Sequence, residues 1–363
     1  MTASIEKTVV DLFQALERQG IRYAVLRNYE MFPSLLRAND PSPHTDIDLV
    51  VDSRDLAEFR AVMAAIAEDH GWDALIECDH WTQSRIRHHH IQAFRLHRTQ
   101  PLEYLQVDVF HGLLLWGLPV YDERRMLEGR IYDTARRLAR IDPVKENLYR
   151  LLQIHGLYPS AQRKRTRYQE KALAFRASNR EIYDQQLSAT FGRFGVRAIE
   201  ALSRGDIRQF ISNMRLGRTW FALWFAIHNP LRIFSYLGWR MRENIQRFYT
   251  RQCGFVLRVS APDESRRQTV REVMDDLVRN SFLDEWREYE AGTRRSFNDH
   301  AVMEQGAIII EWNKADRADM DLRNYKDRSE IVDAILRAGT RHHTPLYLRN
   351  RAVDRSTLEA AAG

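Results

Sequence analysis

The sequence predicts an α+β N-terminal domain built on a mixed sheet with helices, then a helical middle region, then an α/β C-terminal domain. Three observations carry this reading. Residues 5–110 alternate between helical periodicity (5–19 and 55–70) and β-rich runs (21–26, 46–51, 81–96 and 102–110). Residues 142–157 and 180–215 carry apolar side chains at helical spacing. Residues 254–260 and 306–312 read as buried strands, with a helix over 269–278 after the first of them. The expected boundaries are 1–140, 141–250 and 251–350, with a disordered tail at 351–363. A chain of 363 residues is long enough for several real cores.

Taken in order, Val9, Leu12, Phe13 and Leu16 form one face of the first helix, and Gly20 ends it. A strand over Ile21–Leu26 leads into Arg27-Asn28-Tyr29-Glu30, and Pro33, Pro41 and Pro43 mark a turn-rich connection. Next comes His44-Thr45-Asp46-Ile47-Asp48-Leu49-Val50-Val51, a loop entering a strand. Side chains alternate along a strand, so Asp46 and Asp48 share one face, about 6.5–7 Å apart, and Ile47 and Leu49 share the other. A second apolar strand, Leu105-Gln106-Val107-Asp108-Val109-Phe110, carries one further carboxylate. Two acids on one strand and a third on its neighbour suit two-metal phosphoryl or nucleotidyl transfer, because hard Mg²⁺ ions take carboxylate oxygens. The structural alternative is an Asp that caps a turn at a strand entrance.

Composition narrows the classes. Lys and Arg number 55 against 49 Asp and Glu, a net charge of +6, which favours anionic partners without the density of a nucleic-acid surface. Only Cys78 and Cys253 occur, so no disulfide framework is expected and a reducing cytoplasm fits. The N-terminal stretch is an acid-containing amphipathic helix rather than a signal peptide, and no run of about 18 apolar residues predicts a membrane span.

The stretches YAVLRNYE, TDIDLVVD, LQVDVFHGLLLWG and DPVKENLYRLLQIHG, in this order, resemble the nucleotidyltransferase superfamily with a polymerase-β-like core. More narrowly they resemble the bacterial nucleotidyltransferase-like family often encoded with surface-polysaccharide genes, over residues 5 to about 170. The resemblance implies that Asp46, Asp48 and Asp108 are catalytic and hold two Mg²⁺ ions with a nucleoside triphosphate. It implies a sugar or glycan intermediate as acceptor, and the modest charge excess leads us to expect no nucleic acid partner. Arg27, Asn28, Thr45, His111, Arg163 and Arg167 are the substrate-binding candidates. One departure is clear: the superfamily places Gly-Ser or Gly-Gly after the first strand, where this chain has Leu26-Arg27-Asn28. Asn tolerates left-handed geometry and Arg27 can meet phosphate through its guanidinium fork; alternatively Arg27 is an ion-pair residue. His111 can equally contact phosphate or cap its strand, and 163–167 can equally be a solvated helix face. His88, His89, His90 and His97 do not read as a zinc site, since consecutive strand residues point to alternate faces.

Trp220–Ile227 is the most apolar window, broken by His228-Asn229-Pro230 and followed by Arg240, Arg242, Arg247 and Arg251. It reads either as a buried interdomain helix pair or, through 220–251, as peripheral contact with the inner face of a membrane. Beyond it, Ala261-Pro262-Asp263-Glu264-Ser265-Arg266-Arg267-Gln268-Thr269 resembles the P-loop of thymidylate-kinase-like domains, with its glycines and lysine replaced. The resemblance therefore implies a degenerate P-loop domain rather than an active kinase. The expected function is Mg²⁺-dependent nucleotidyl transfer; the alternative is a non-enzymatic scaffold or regulator of polysaccharide assembly.

Overall fold

The structure, a computed structural model, describes residues 5–33, 46–84, 87–99, 102–115, 118–156, 162–234, 254–279, 285–294, 307–342 and 344–348, with 237, 238, 241, 296, 299 and 303. Within these segments the side chains of 79–84, 87–90, 99, 102, 156, 162–165, 279, 339–342, 344 and 345 are outside the description. Thr45 and the tail after residue 350 lie outside the described residues.

The first helix, α1 (Ile5–Arg18), buries Val9, Leu12, Phe13 and Leu16, the face that its spacing predicts. The chain then forms β1 (Tyr23–Val25), β2 (Asp46–Val51), α2 (Leu56–Asp69), β3 (Ala74–Ser84), β4 (Arg87–Thr99) and β5 (Leu102–Phe110). Short elements follow: β6 (Leu113–Leu115), β7 (Leu118–Tyr121), α3 (Glu123–Leu127), β8 (Ile131–Asp133) and β9 (Leu138–Arg140). Among the described residues the main sheet has eight strands, the last being β14 (Thr344–Leu348), in the order β14-β3-β4-β5-β2-β1-β9-β8. It is mixed: β2 runs parallel to β5 and antiparallel to β1, while β3, β4 and β5 form an antiparallel meander.

Ile47, Leu49 and Val51 of β2 pack with Val107 and Val109 of β5 and with the apolar faces of α1 and α2. Each such burial contributes about 1.5–3 kcal/mol, so the register of β2 is locked. A slip by one residue would drive Asp46 and Asp48 into that apolar layer. The opposite face presents Val50 and Phe110 to the helical middle region.

That region comprises α4 (Pro143–Gly156), α5 (Gln162–Ser178), α6 (Arg180–Phe191), α7 (Arg193–Ser203) and α8 (Ile207–His228). The continuous helix predicted over 180–215 is broken twice. Gly192 sits at φ +59 with the Trp220 ring where a Cβ would be, and Gly205 sits at φ +75. Asp206 then caps α8 by accepting from the Gln209 amide at 2.9 Å. In α8, Phe210, Met214, Gly217, Phe221 and Phe225 are buried, whereas Trp220, Leu223, Trp224 and Ile227 are exposed. The predicted apolar window is thus buried along one face only.

The C-terminal region holds a parallel sheet with helices. It contains β10 (Phe255–Ser260), α9 (Glu264–Arg279), β11 (Trp286–Glu290), β12 (Ile308–Trp312), β13 (Met320–Asp321) and α10 (Arg328–His342). The sheet order is β11-β12-β10-β13 with every pairing parallel. The helix after β10 starts at Glu264, five residues before the predicted start, because the Asp263 carboxylate accepts from the Arg266 amide at 2.8 Å. Thr344–Leu348, within the 251–350 span, pairs antiparallel with β3 of the main sheet, so the end of the chain is stitched to its beginning.

Candidate active site

The parallel pairing of β2 with β5 sets Asp48 opposite Asp108 and Asp46 opposite Gln106. All four side chains lie on the face away from α1 and α2. Asp48 and Asp108 are buried, and Asp46 is half-buried. The carboxylates that the sequence singles out are therefore brought together by backbone register alone.

The exit of β1 supplies their partner. The Leu26 amide donates to the Asp48 carbonyl at 2.8 Å, which holds the next residue over the carboxylate. Arg27 Nε donates to Asp48 Oδ2 at 2.5 Å and its Nη2 donates to Asp48 Oδ1 at 3.0 Å, a two-point clamp. Its third nitrogen, Nη1, donates to the Tyr168 hydroxyl of α5 at 2.6 Å. The guanidinium carbon also lies 5.6 Å from the centre of the Tyr149 ring. Burial alone would weaken the Arg27 charge; the Asp48 carboxylate, with Tyr168 and Tyr149 beside it, raises the guanidinium's proton affinity well above the ordinary value. Asn28 follows at φ 59, ψ 21, the left-handed conformation that Asn tolerates, and turns the chain away. Lys171, one turn beyond Tyr168, pairs with Glu30. The helix α5 is thus fastened over the β1 exit at two points.

Asp108 has a different environment. Burial raises its proton affinity first, and the neighbouring Asp48 and Asp46 raise it further, so its pKa stands well above the usual carboxylate range. Arg95 and a hydrogen bond from Gln106 act in the opposite direction without cancelling this. Gln106 Nε2 donates to Asp108 Oδ1 at 2.9 Å, while Gln106 Oε1 accepts from Arg95 Nε at 2.9 Å and from the Tyr104 hydroxyl at 2.5 Å. The Tyr104 ring packs in the C-terminal core with Phe255 and Leu257. A polar relay therefore runs from the C-terminal domain to the third carboxylate.

The remaining predicted residues scatter. His111 lies about 10 Å further along β5 than Asp108, at 3.3 Å of rise per residue. It pairs there with Glu123 of α3 at 3.7 Å, and Glu123 in turn accepts from the Ser53 amide. His111 is thus fastened to α3 at the end of its strand. Arg167 lies on α5 beside the clamp, its guanidinium carbon 5.4 Å from the centre of the Tyr168 ring. Its buried Nε has no hydrogen-bond partner among the described residues. Arg163 belongs to the first turn of α5.

The hard oxygen donors of Asp46, Asp48 and Asp108 fit Mg²⁺ by their chemistry. The raised proton affinity of Asp108 also marks a place where further positive charge would be favourable. The site is not assembled as an ion cage, however. Both Asp48 oxygens are held by Arg27, and among the described residues no three acidic, imidazole or thiolate groups are arranged to hold a metal ion. A metal would therefore have to displace the guanidinium from Asp48.

In the C-terminal sheet, the amide end of α9 is capped by Asp263. Arg267, which stands where a P-loop has lysine, donates to Glu290 at 2.6 Å and lies over the Trp312 ring at 4.9 Å. Arg271 pairs with Glu264 and with Glu288. Its own carboxylates thus occupy what a phosphate would need.

Sequence reasoning passed over Tyr168, Tyr104, Gln106 and Arg95. A signal existed for two of them: Tyr104, Gln106 and Asp108 recur at every second position of an otherwise apolar strand.

No protein-family model matches the chain, and no curated protein matches it. Among solved structures it is similar to an antigenic nucleotidyltransferase-like protein from Paracoccidioides brasiliensis. The two share 14% identity over 58% of this chain and 92% of that one, with a TM-score of 0.31. So loose a superposition transfers no residue roles, and the site stands on its own geometry.

Proposed function

We propose that this chain is a divalent-metal-dependent nucleotidyltransferase that moves a nucleoside monophosphate from a nucleoside triphosphate to a hydroxyl or phosphate acceptor. On the resemblance of its motifs, the acceptor is a sugar or glycan intermediate. The observation that carries the reading is the register that sets Asp48 beside Asp108, with Asp46 on the same face. Asp46 and Asp48 would hold the metal, with Asp108 completing the set. Bound Mg²⁺ supplies positive charge for the attacking and leaving oxygens.

The chain's own residues do the rest. Asp108 Oδ1 is held by Gln106, which leaves Oδ2 to complete the metal site, where it would favour loss of the acceptor hydroxyl's proton to solvent. The freed acceptor oxygen then forms its bond to the α-phosphorus as the bond to pyrophosphate breaks. Arg27 is the resident counter-ion of Asp48 in the resting site. On its release, its fork would be free to neutralise phosphate charge. We read the C-terminal unit as a degenerate P-loop domain, self-neutralised and without kinase activity.

Pyrophosphate release with each of ATP, CTP, GTP and UTP tests the reading. Asp108→Asn keeps an acceptor for Gln106 and removes the charge, so it should stay folded and lose at least about a hundredfold in turnover. Undiminished turnover in that variant contradicts the proposal. The two-point clamp on Asp48 favours one other reading, in which Arg27 permanently takes the place of a metal and the chain is a scaffold or regulator of polysaccharide assembly. That reading expects no nucleotide turnover and a wild-type fold that ignores Mg²⁺.

A further inference from the structure

The helix α8 has two apolar faces, and among the described residues only one of them is buried. Phe210, Met214, Phe221 and Phe225 are buried in the helical core. On the remaining surface Trp220 and Trp224 are exposed, and Leu223 is 59% exposed. The pattern continues past the end of α8. Asn229 closes the helix through Phe225 O and reopens it for the Ile233 amide, with Pro230 at the first position of the new turn. Ile227, Leu231, Phe234 and Met241 there stand 74%, 85%, 72% and 68% exposed, and Leu237 52%. Large apolar side chains recurring at three- and four-residue intervals with this exposure are costly in water unless something covers them.

Charge identifies the cover. Between residues 207 and 251 there are eight arginines and one acidic residue, Glu243, so this stretch holds more positive charge than the chain's net of +6. Arg215, Arg218 and Arg232 lie on the described part of the stretch. A second copy of the chain is a poor occupant, since a symmetric contact would bring arginine-flanked faces against each other. No helix of the described residues is long and apolar enough to cross a membrane. Tryptophans and leucines on one face, flanked by arginine and almost free of acid, suit a helix lying in the plane of an anionic interface.

We infer that the exposed apolar side chains of 216–234, with Leu237 and Met241, form a peripheral membrane-binding surface whose occupant is an anionic phospholipid bilayer. The apolar stripe enters the headgroup boundary and the arginines meet the lipid phosphates. This surface is on α8 and its extension, and the carboxylates are on the main sheet, so the inference does not depend on nucleotidyl transfer.

Co-sedimentation of the full chain with vesicles tests it. The wild type should bind phosphatidylglycerol-containing vesicles at low salt, bind pure phosphatidylcholine vesicles far more weakly, and be released by high salt. The Ile227→Glu/Leu231→Glu variant should lose binding by at least about tenfold while keeping its melting temperature, because both side chains stand outside the core. Arg232→Gln should weaken binding about fivefold on anionic vesicles alone. Absence of vesicle binding by the wild type overturns the inference. So does binding that is equal on both lipids and unchanged by Ile227→Glu/Leu231→Glu. A dimer that this variant dissociates, with no vesicle binding, would assign the face to a second copy instead.

Discussion

The molecule holds two strand-end sites in which an arginine answers carboxylates, and they differ in depth. At the β1 exit, Arg27 and Asp48 have side chains only 9% and 3% exposed, clamped at two points with Tyr168 closing over them. At the end of β10 and β11, Arg267 and Glu290 are 28% and 66% exposed, and solvent shares their interaction. The exposed arginines are answered by Glu264, Glu288 and Glu290, and Asp263 caps the amide end of α9. Beside the buried pair, burial first and then Asp48 and Asp46 push the Asp108 carboxyl well above the usual carboxylate range. Burying charge without cancelling it is expensive, and proteins keep that arrangement where chemistry needs it. On this contrast rests our proposal that the first site is functional and the second structural.

The largest effect expected from this contrast is on stability. Asp48→Ala strands a buried guanidinium and should cost about 3–5 kcal/mol in urea unfolding. Glu290→Ala should cost no more than about 1 kcal/mol. An Arg27→Met/Asp48→Leu double replacement should recover most of the first loss, since the charge and its partner leave together. Equal losses in the two single variants would erase the distinction.

Next in size is a titration at the seam between the two regions. His97 on β4 has its pKa lowered to about 4, by burial, against the opposing pull of Asp73 and of Asp333 on α10. The unfolded chain binds this proton near pH 6.5 and the folded chain does not. The stability it contributes is therefore complete above pH 6.5 and is lost as pH falls towards 4, by up to about 3 kcal/mol. His97→Gln should flatten that part of the stability–pH curve; an unchanged slope would place the acid sensitivity elsewhere.

The smallest effect concerns the turn that delivers Arg27. Asn28→Ala should cost about 1 kcal/mol, because a left-handed residue without a local hydrogen-bonding side chain is strained. Asn28→Gly should be neutral within a few tenths of a kcal/mol. If alanine is as well tolerated as glycine, the left-handed turn is not what holds Arg27 over Asp48.

Much of this was legible in the sequence. Asp46 and Asp48 fall on one face because strands alternate, and the apolar run around Asp108 marks a second buried strand. Asn28 is left-handed where its side chain made that tolerable. What escaped is long-range. Tyr168 reaches Arg27 across 141 residues, and no local pattern encodes such a contact. The β14 strand joins the main sheet from the far end of the chain for the same reason. The breaks in the helical pattern over 180–215 depend on a long-range contact too, since the Trp220 ring fills the place of a Gly192 side chain. His111 had two readings of equal standing, and its pairing with Glu123, a residue of a separate helix, is a contact that no local pattern encodes.

The central claim is that Asp46, Asp48 and Asp108 form a site for a divalent metal with a nucleoside triphosphate. The most direct measurement is thermal stability with each nucleotide, with and without Mg²⁺, on the wild type and on Asp46→Asn/Asp48→Asn. The account expects a rise in melting temperature that needs both metal and nucleotide and vanishes in the double variant. No rise with any nucleotide, or a rise that the double variant retains, would contradict it.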